Sequence, residues 1–178
     1  MRTKLLMIVL LVAGAACAPE EGPEAAASPS PTSAVSSPLP TEAAVQDVEI
    51  YLHSGNDEDC AEVVGVQREV DESTLTAAME QLLAGPTEGE AAQGLGGWFS
   101  GETESMLISA EIDGDVARVD FEDFRDVIPN ASTSCGSAML LAQLDSTAEQ
   151  FDVSGTLYSI EGEPQTFYEW LQLGTPDL

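Results

Sequence analysis

Few side chains in this sequence could carry nucleophilic or acid–base chemistry. His53 is the only histidine, so a Ser-His-Asp or Cys-His site would have to use it, and its neighbours lack the required form. There is neither a Gly-x-Ser-x-Gly elbow nor a His-Glu-x-x-His helix. The 32 acidic residues leave a glycosidase-like carboxylate pair as an alternative. We therefore expect no catalytic site, no metal site and no cofactor.

Two of the three cysteines predict a covalent link. Apart from Cys17, the chain has two cysteines, Cys60 and Cys135. An even number of cysteines that can form disulfides is typical of exported proteins. We predict a Cys60–Cys135 disulfide that closes a loop of roughly 75 residues and adds about 3–5 kcal/mol to the free energy of unfolding. Two buried free thiols are the alternative.

Cys17 follows a segment with the layout of an export signal. Arg2 and Lys4 precede a run of 12 residues (5–16) that carries no charge. Such an arrangement is typical of a secretory signal peptide, and the run is too short for a membrane-spanning helix, which needs about 20 residues. The signal is therefore expected to be cleaved.

The cysteine at the end of this segment favours lipid attachment. Residues 12–17, Val-Ala-Gly-Ala-Ala-Cys, resemble a lipobox, in which a diacylglyceryl group alkylates the cysteine thiol. Gly14 stands where leucine is commonest. We predict a lipoprotein signal peptide over residues 1–16 and lipid attachment at Cys17, with a plain secreted protein as the alternative.

Residues 17–46 have the composition of a disordered tether. Six prolines stand among Ala, Ser, Thr and Glu, with almost no large apolar side chain, so burial cannot offset the entropy of ordering the chain. Such a tether would reach about 30 Å as a coil and about 90 Å when stretched. The remaining residues, 47–178, have the size of one globular domain.

The net charge excludes two classes of partner. The chain has 5 basic and 32 acidic residues and a net charge of −27. Cleavage before Cys17 removes two basic residues and no acidic one, which takes the charge to −29. Nucleic-acid binding and electrostatic adhesion to anionic lipid are excluded, whereas solubility, weak cation condensation or a basic partner fit. Residues 56–59 could bind calcium, but a solvated acidic turn is the prediction.

Hydrophobic spacing predicts an α/β (α+β) domain. Strands are expected at 48–52 and 62–70, and a helix follows Ser73 and ends at Gly85-Pro86. Residues 88–103 read as irregular, a second helix follows 132–134, and a strand covers 155–160. Residues 167–171 form a short helix or strand. We predict the order β-β-α-β-β-α-β in a single compact domain, with two helices on one face of a mixed sheet.

A hairpin is predicted around Asp113-Gly114, the favoured pair for a two-residue type I′ turn. Pairing across this turn would align one apolar face. That face would place Ile112, Ala110, Ile108 and Met106 opposite Asp115, Ala117, Val119 and Phe121.

Several short motifs together resemble the GerMN domain of sporulation and spore-germination proteins. The resemblance covers nearly all of residues 48–173. It lies in Arg68, in Gly85-Pro86-Thr87 with Glu90 and Gly94, in Asp113-Gly114 and in Val119-Asp120-Phe121. It implies a compact α/β domain similar to the ring-building modules of envelope and secretion complexes, in exported and lipid-anchored proteins of Gram-positive bacteria, with no catalytic residues known for the family as a whole.

These observations favour a binding or scaffolding protein, lipid-anchored on the outer face of the cell membrane, with envelope proteins as partners. Trp98 and Phe99 are the candidate contact residues, because aromatic side chains anchor interfaces; burial of both in the core is the alternative. An envelope hydrolase with a carboxylate pair and a binder of small ligands or sugars are the other two hypotheses. The hydrolase needs a concave cleft with two facing acids, and the binder needs a pocket.

Overall fold

The computed structural model describes residues 45–55 and 58–178. Within them the chain forms five strands and four helices. The predicted signal peptide, Cys17 and nearly all of the predicted tether lie outside the described residues. The elements are β1 (Gln46–His53), β2 (Val63–Val70), α1 (Leu75–Leu83), α2 (Glu88–Ala92), β3 (Leu107–Asp113), β4 (Val116–Phe121), α3 (Ser134–Glu149), β5 (Gly155–Ile160) and α4 (Pro164–Trp170).

The α+β class and the order of the predicted elements are confirmed, with α2 as an additional helix. The segment predicted as a short helix or strand at residues 167–171 lies largely in helix α4. The strands form two sheets instead of the single mixed sheet that was predicted. One sheet is the antiparallel pair β1–β2, and the other has the order β3-β4-β5, with β4 and β5 parallel. The edge of β1 that faces away from β2 is hydrogen-bonded to side chains of α3 and its C-cap. Helix α1 packs against β1, β3 and α3 and thereby joins the two sheets.

The core is built from the inward faces of these elements. Ile50 and Leu52 of β1 and Met79 and Leu82 of α1 are fully buried, and each such side chain contributes about 1.5–3 kcal/mol. A second group of aromatic rings fills the space between β4, β5 and α4. Its ring-centroid distances are 6.2 Å for Phe121–Phe167, 5.3 Å for Tyr158–Phe167 and 5.0 Å for Phe121–Phe124.

The helix boundaries follow local capping chemistry. Thr74, one residue after the predicted cap, accepts a hydrogen bond from the Ala77 N–H and begins α1. Gly85 then adopts a φ of +77°, a left-handed conformation that glycine accepts without strain. The segment predicted as irregular contains α2, because Thr87 and Glu90 form a reciprocal capping box.

The hairpin forms, but its turn and register differ from the prediction. Asp113 pairs with Val116, so the two central residues are Gly114 and Asp115. Of these two, Gly114 alone has a positive φ, which is the pattern of a type II′ turn.

The predicted apolar face of β3 is also corrected. Ala110 is buried opposite Val119, but Ile108 and Ile112 are 51% and 44% exposed. The pairing shifts between Leu107 and Ser109, and such a bulge re-aims the side chain beside it. Ile112 lies next to the turn, at the end of the strand.

Candidate interaction surface

The outer edge of β1 is closed by one stripe of α3. Gln143, Thr147 and Gln150 lie three or four residues apart, so they share a helix face. Gln150 accepts the Glu49 N–H through Oε1 at 2.9 Å and donates to the Glu49 carbonyl at 2.6 Å. Thr147 Oγ1 accepts the Tyr51 N–H at 3.1 Å, and Gln143 Nε2 donates to the Tyr51 carbonyl at 3.3 Å. The backbone of this edge is therefore satisfied by side chains.

The same edge continues to His53, where the chain after α2 completes it. The His53 N–H donates to the Gly96 carbonyl at 2.8 Å, and the Gly96 N–H donates back to the His53 carbonyl at 3.0 Å. The His53 ring is buried, with Nδ1 accepting the Gly55 N–H and Nε2 lying 3.3 Å from the Asp59 carbonyl. Both ring nitrogens of the sole histidine are thus engaged with the backbone.

The opposite edge of this sheet, along β2, is open. Glu49 and Tyr51 point their N–H and C=O groups away from β2, so their antiparallel partners Gln67 and Gly65 point theirs away from β1. Glu69 follows the same alternation. In the described part of the chain, the outward backbone groups of these three β2 residues have one hydrogen-bond partner, Arg68 Nη1 at 3.3 Å from the Gln67 carbonyl. The outer edge of β2 is therefore not paired with another strand of the described residues.

A carboxylate lies beside this edge on the outer face of the sheet. The Glu49 side chain crosses over Gly65, where an added Cβ would meet Glu49 Oε1 at 2.6 Å. Glu49 accepts hydrogen bonds from the Tyr51 hydroxyl at 2.8 Å and from Gln67 Nε2 at 3.2 Å. The hydrogen bond to Glu49, together with burial, raises the pKa of Tyr51. Gly65 is the residue that leaves room for this arrangement.

An open groove of about 680 Å³ lies between the end of β2 and α1. Its walls carry the acidic residues Glu69, Asp71, Glu72 and Glu80, all of them solvent-exposed. A carboxyl that acts as a general acid near neutral pH needs burial to keep its proton. The groove therefore contributes negative charge beside the β2 edge, and its geometry does not favour the hydrolase hypothesis.

The inner face of β2 is held by an ion pair of the family-like motif. Arg68 Nη1 and Nη2 lie 2.6 and 2.7 Å from Glu90 Oε1 and Oε2, with side chains only 13% and 15% exposed. Glu90 also accepts the Thr87 N–H at 2.8 Å. The hydrogen bond from Arg68 has the largest effect and lowers the pKa of Glu90 to about 2. Burial acts in the opposite direction, and the hydrogen bonds from Thr87 add to the lowering. Sequence reasoning had named these residues without pairing Arg68 with Glu90.

The two aromatic candidates differ in burial. Phe99 lies in the core and is 3% exposed. Trp98 is half-buried, and its Nε1 donates to the Gly136 carbonyl at 2.9 Å while its N–H donates to Gln143 Oε1 at 3.2 Å. A contact role of the exposed part of Trp98 remains a prediction.

The other motif residues occupy structural positions. Gly94, with a φ of +88°, follows α2, and Pro86 lies between α1 and α2. Asp113 forms an exposed ion pair with Arg118. Asp120 Oδ1 accepts hydrogen bonds from Ser159 Oγ at 2.6 Å and from the Gly162 N–H at 2.8 Å. Val119 and Phe121 are buried core residues.

Cys60 and Cys135 form a disulfide, with their Cα atoms 5.3 Å apart. It joins the chain between β1 and β2 to the first turn of α3.

The described residues contain neither a membrane-spanning helix nor a cluster of metal ligands. No helix there is long and apolar enough to cross a membrane. No group of three or more His, Cys, Asp or Glu side chains in residues 45–55 and 58–178 could hold a metal ion. Asn56 and Asp57 of the acidic turn lie outside the described residues, and a solvated turn there stays a prediction.

Comparison with known proteins complements this geometry. The tandem GerMN domains of the sporulation protein GerM from Bacillus subtilis are 23% identical, with 71% of this chain and 42% of that chain covered and a TM-score of 0.49. A Clostridium perfringens protein classed as a lipoprotein is 18% identical, with 67% and 76% covered and a TM-score of 0.34. No curated protein matches.

The chain thus spans less than half the length of the GerM structure. A model of the Germane family, described as sporulation and spore germination, matches residues 49–166. Because this match covers more than half of the sequence and runs from within β1 to the first turn of the last helix, the chain belongs to the Germane family and carries a GerMN domain.

Proposed function

We propose that this protein is a lipid-anchored, non-enzymatic component of the bacterial cell envelope whose GerMN domain binds or scaffolds other envelope proteins on the extracytoplasmic side of the membrane. The observation that carries the proposal is the extent of the family match. Residues 49–166 make up most of the described domain, so the domain that would bind partners is a module of a sporulation and spore-germination family.

Two further observations support export and anchoring. The Cys60–Cys135 disulfide suits an oxidising compartment outside the cytoplasm. Residues 12–17 resemble a lipobox, and two acyl chains on Cys17 would give stable membrane attachment. With a mature charge of −29, the acyl chains, and not the acidic surface of the domain, would hold the protein at the membrane.

Metabolic labelling tests the anchor. Cells producing the protein are grown with a radioactive fatty acid, in parallel with cells producing Cys17→Ala. We expect label on the wild type and none on the variant. An intact-mass measurement that finds the disulfide in both proteins controls for folding. An unlabelled wild type, or undiminished label on Cys17→Ala, would refute lipid attachment.

Crosslinking in living cells tests partner binding. The sequence after Cys17 has no lysine, so amine-reactive reagents are unsuitable, and a photoreactive amino acid is placed at single surface positions, including Trp98 and Gln67. We expect discrete adducts with envelope proteins from at least one position. Absence of protein adducts at every position would contradict a scaffolding role.

A further inference from the structure

We propose that the open edge of β2 is a docking site for an extended, basic segment of a partner protein, which adds to the β1–β2 sheet as a third strand. This inference rests on the proposed function, since it names the surface and the kind of partner through which the domain would bind.

At each of the other outer strands, a helix supplies at least one hydrogen bond to the strand edge, whereas the one partner at the β2 edge within the described residues is Arg68 of β2 itself. Side chains of α3 close β1, the Thr76 hydroxyl donates to the Ala110 carbonyl of β3 at 2.9 Å, and the Tyr168 hydroxyl accepts the Tyr158 N–H of β5 at 3.3 Å. Proteins cover exposed edges because an unpaired strand invites pairing with another chain. The β2 edge departs from this pattern.

The shape and polarity of the β2 edge suit an added strand. Gly65, Gln67 and Glu69 offer outward N–H and C=O groups at every second residue, the spacing that an added strand requires. On the inner face, Val64 is 40% exposed and Val66 is partly buried. An added strand would cover these valines with apolar side chains, while its alternate side chains would lie on the outer face beside Glu69 and Gln67.

The negative charge around the β2 edge favours a basic occupant. Glu49 and Glu69 lie on the outer face, and Asp71, Glu72 and Glu80 line the groove at the end of β2. A segment that alternates basic with apolar residues would match both faces of the edge.

A second copy of this chain fits the same edge poorly. Antiparallel pairing of two β2 strands about Gln67 would place Glu69 of one copy opposite Gly65 of the other, where the Glu49 carboxylate lies, and like charges that face each other across strands repel.

The test uses a defined peptide and the full-length protein purified in detergent. The probe is acetyl-Lys-Val-Lys-Val-Lys-Val-Lys-amide. Its matched control has the same sequence and charge but carries N-methyl groups on the lysine backbone nitrogens, which are the ones that would face β2 when the lysine side chains lie on the outer face. We expect the probe to slow amide hydrogen exchange at Gly65, Gln67 and Glu69 and to leave exchange at Tyr51 unchanged. The N-methylated control should bind at least about tenfold more weakly, because its ladder hydrogen bonds cannot form.

A pair of protein variants tests the same surface from the other side. Gln67→Pro removes an outward N–H, a change that edge strands tolerate, whereas Gln67→Ala keeps it. We expect the affinity for the probe to fall at least about tenfold in Gln67→Pro and to stay within about twofold in Gln67→Ala. Thermal unfolding verifies that Gln67→Pro folds; if it does not, the N-methylated peptide on the wild type decides.

Several results would overturn the proposal. Equal binding of the N-methylated peptide would mean that charge alone holds the probe, and unchanged exchange at all three edge amides would exclude strand addition. Concentration-dependent protection of the same amides without peptide would identify a second copy as the occupant. If photo-crosslinks to envelope proteins form elsewhere on the domain but none forms from Gln67, the proposed function stands and this docking site is wrong.

Discussion

The two edges of the β1–β2 sheet differ in how their backbone groups are satisfied. Along β1, Glu49 and Tyr51 bond to three side chains of α3, and His53 bonds to Gly96. Along β2, the facing residues Gln67 and Gly65 leave outward groups without such cover. The β1 edge is thus closed by side chains that lie about 100 residues away in sequence. Since the fold itself leaves the β2 edge open, that edge is available for binding.

The largest expected effect on stability comes from removing the disulfide, which links α3 to the chain between β1 and β2. In the Cys60→Ser/Cys135→Ser double variant, the free energy of unfolding should fall by about 3–5 kcal/mol, because the unfolded chain gains freedom. Denaturant titration measures the loss. The variant should be insensitive to reductant, whereas reductant should weaken the wild type by a similar amount. A loss below about 1 kcal/mol would mean that α3 needs no covalent fastening.

The next effect compares the two edges directly. Gln143 is fully buried. Its Nε2 donates to the Tyr51 and Gly96 carbonyls, and its Oε1 accepts the Trp98 N–H. Gln143→Leu should cost about 2–4 kcal/mol, because it leaves buried polar groups without partners.

Gln67→Ala on the open edge is the matched control for this change and should cost less than about 0.5 kcal/mol. Urea unfolding of both variants measures the difference. Equal losses would show that the two edges are not energetically distinct.

A smaller effect concerns the ion pair on the inner face of β2. The pKa of Glu90 falls from its ordinary value of 4.5 to about 2, so the folded state favours the ionised carboxylate. The resulting stability is present above about pH 5 and is lost as the pH falls towards 2. We expect a loss of about 1–2 kcal/mol over this range, reduced for partial solvent screening.

The control for the pH effect is Glu90→Gln, which cannot titrate at this position. Its free energy of unfolding should show a correspondingly smaller decrease between pH 5 and 2 than that of the wild type. Identical pH profiles for the two proteins would contradict this prediction, because they would mean that ionisation of Glu90 does not contribute to the free energy of unfolding.

Local chemistry made much of this fold predictable from the sequence. Alternating residues indicated β1 and β2, and the leucine spacing with Gly85-Pro86 indicated α1 and its end. Even the disulfide followed from cysteine number. These features depend on neighbouring residues or on a count, which a single sequence displays.

Long-range contacts were beyond the same reasoning. The stripe of Gln143, Thr147 and Gln150 looks like an ordinary polar helix face until α3 is placed against β1. The hairpin register depended on whether Gly114 takes the first or second turn position, and a glycine accepts either. The pairing of Arg68 with Glu90 joins residues 22 apart and has no local signal. The Thr87-x-x-Glu90 capping box was a signal for α2, since it marks a helix start within the segment read as irregular.

Amide hydrogen exchange in the free protein tests the central contrast most directly. The N–H groups of Glu49 and Tyr51 donate to α3, whereas those of Gly65, Gln67 and Glu69 face solvent, so exchange should be at least about 100-fold slower at the first two positions than at the other three. Residue-resolved NMR of the uniformly labelled protein provides all five rates in one sample. Comparable protection of the two sets would contradict the account, because it would mean that the β2 edge is already covered.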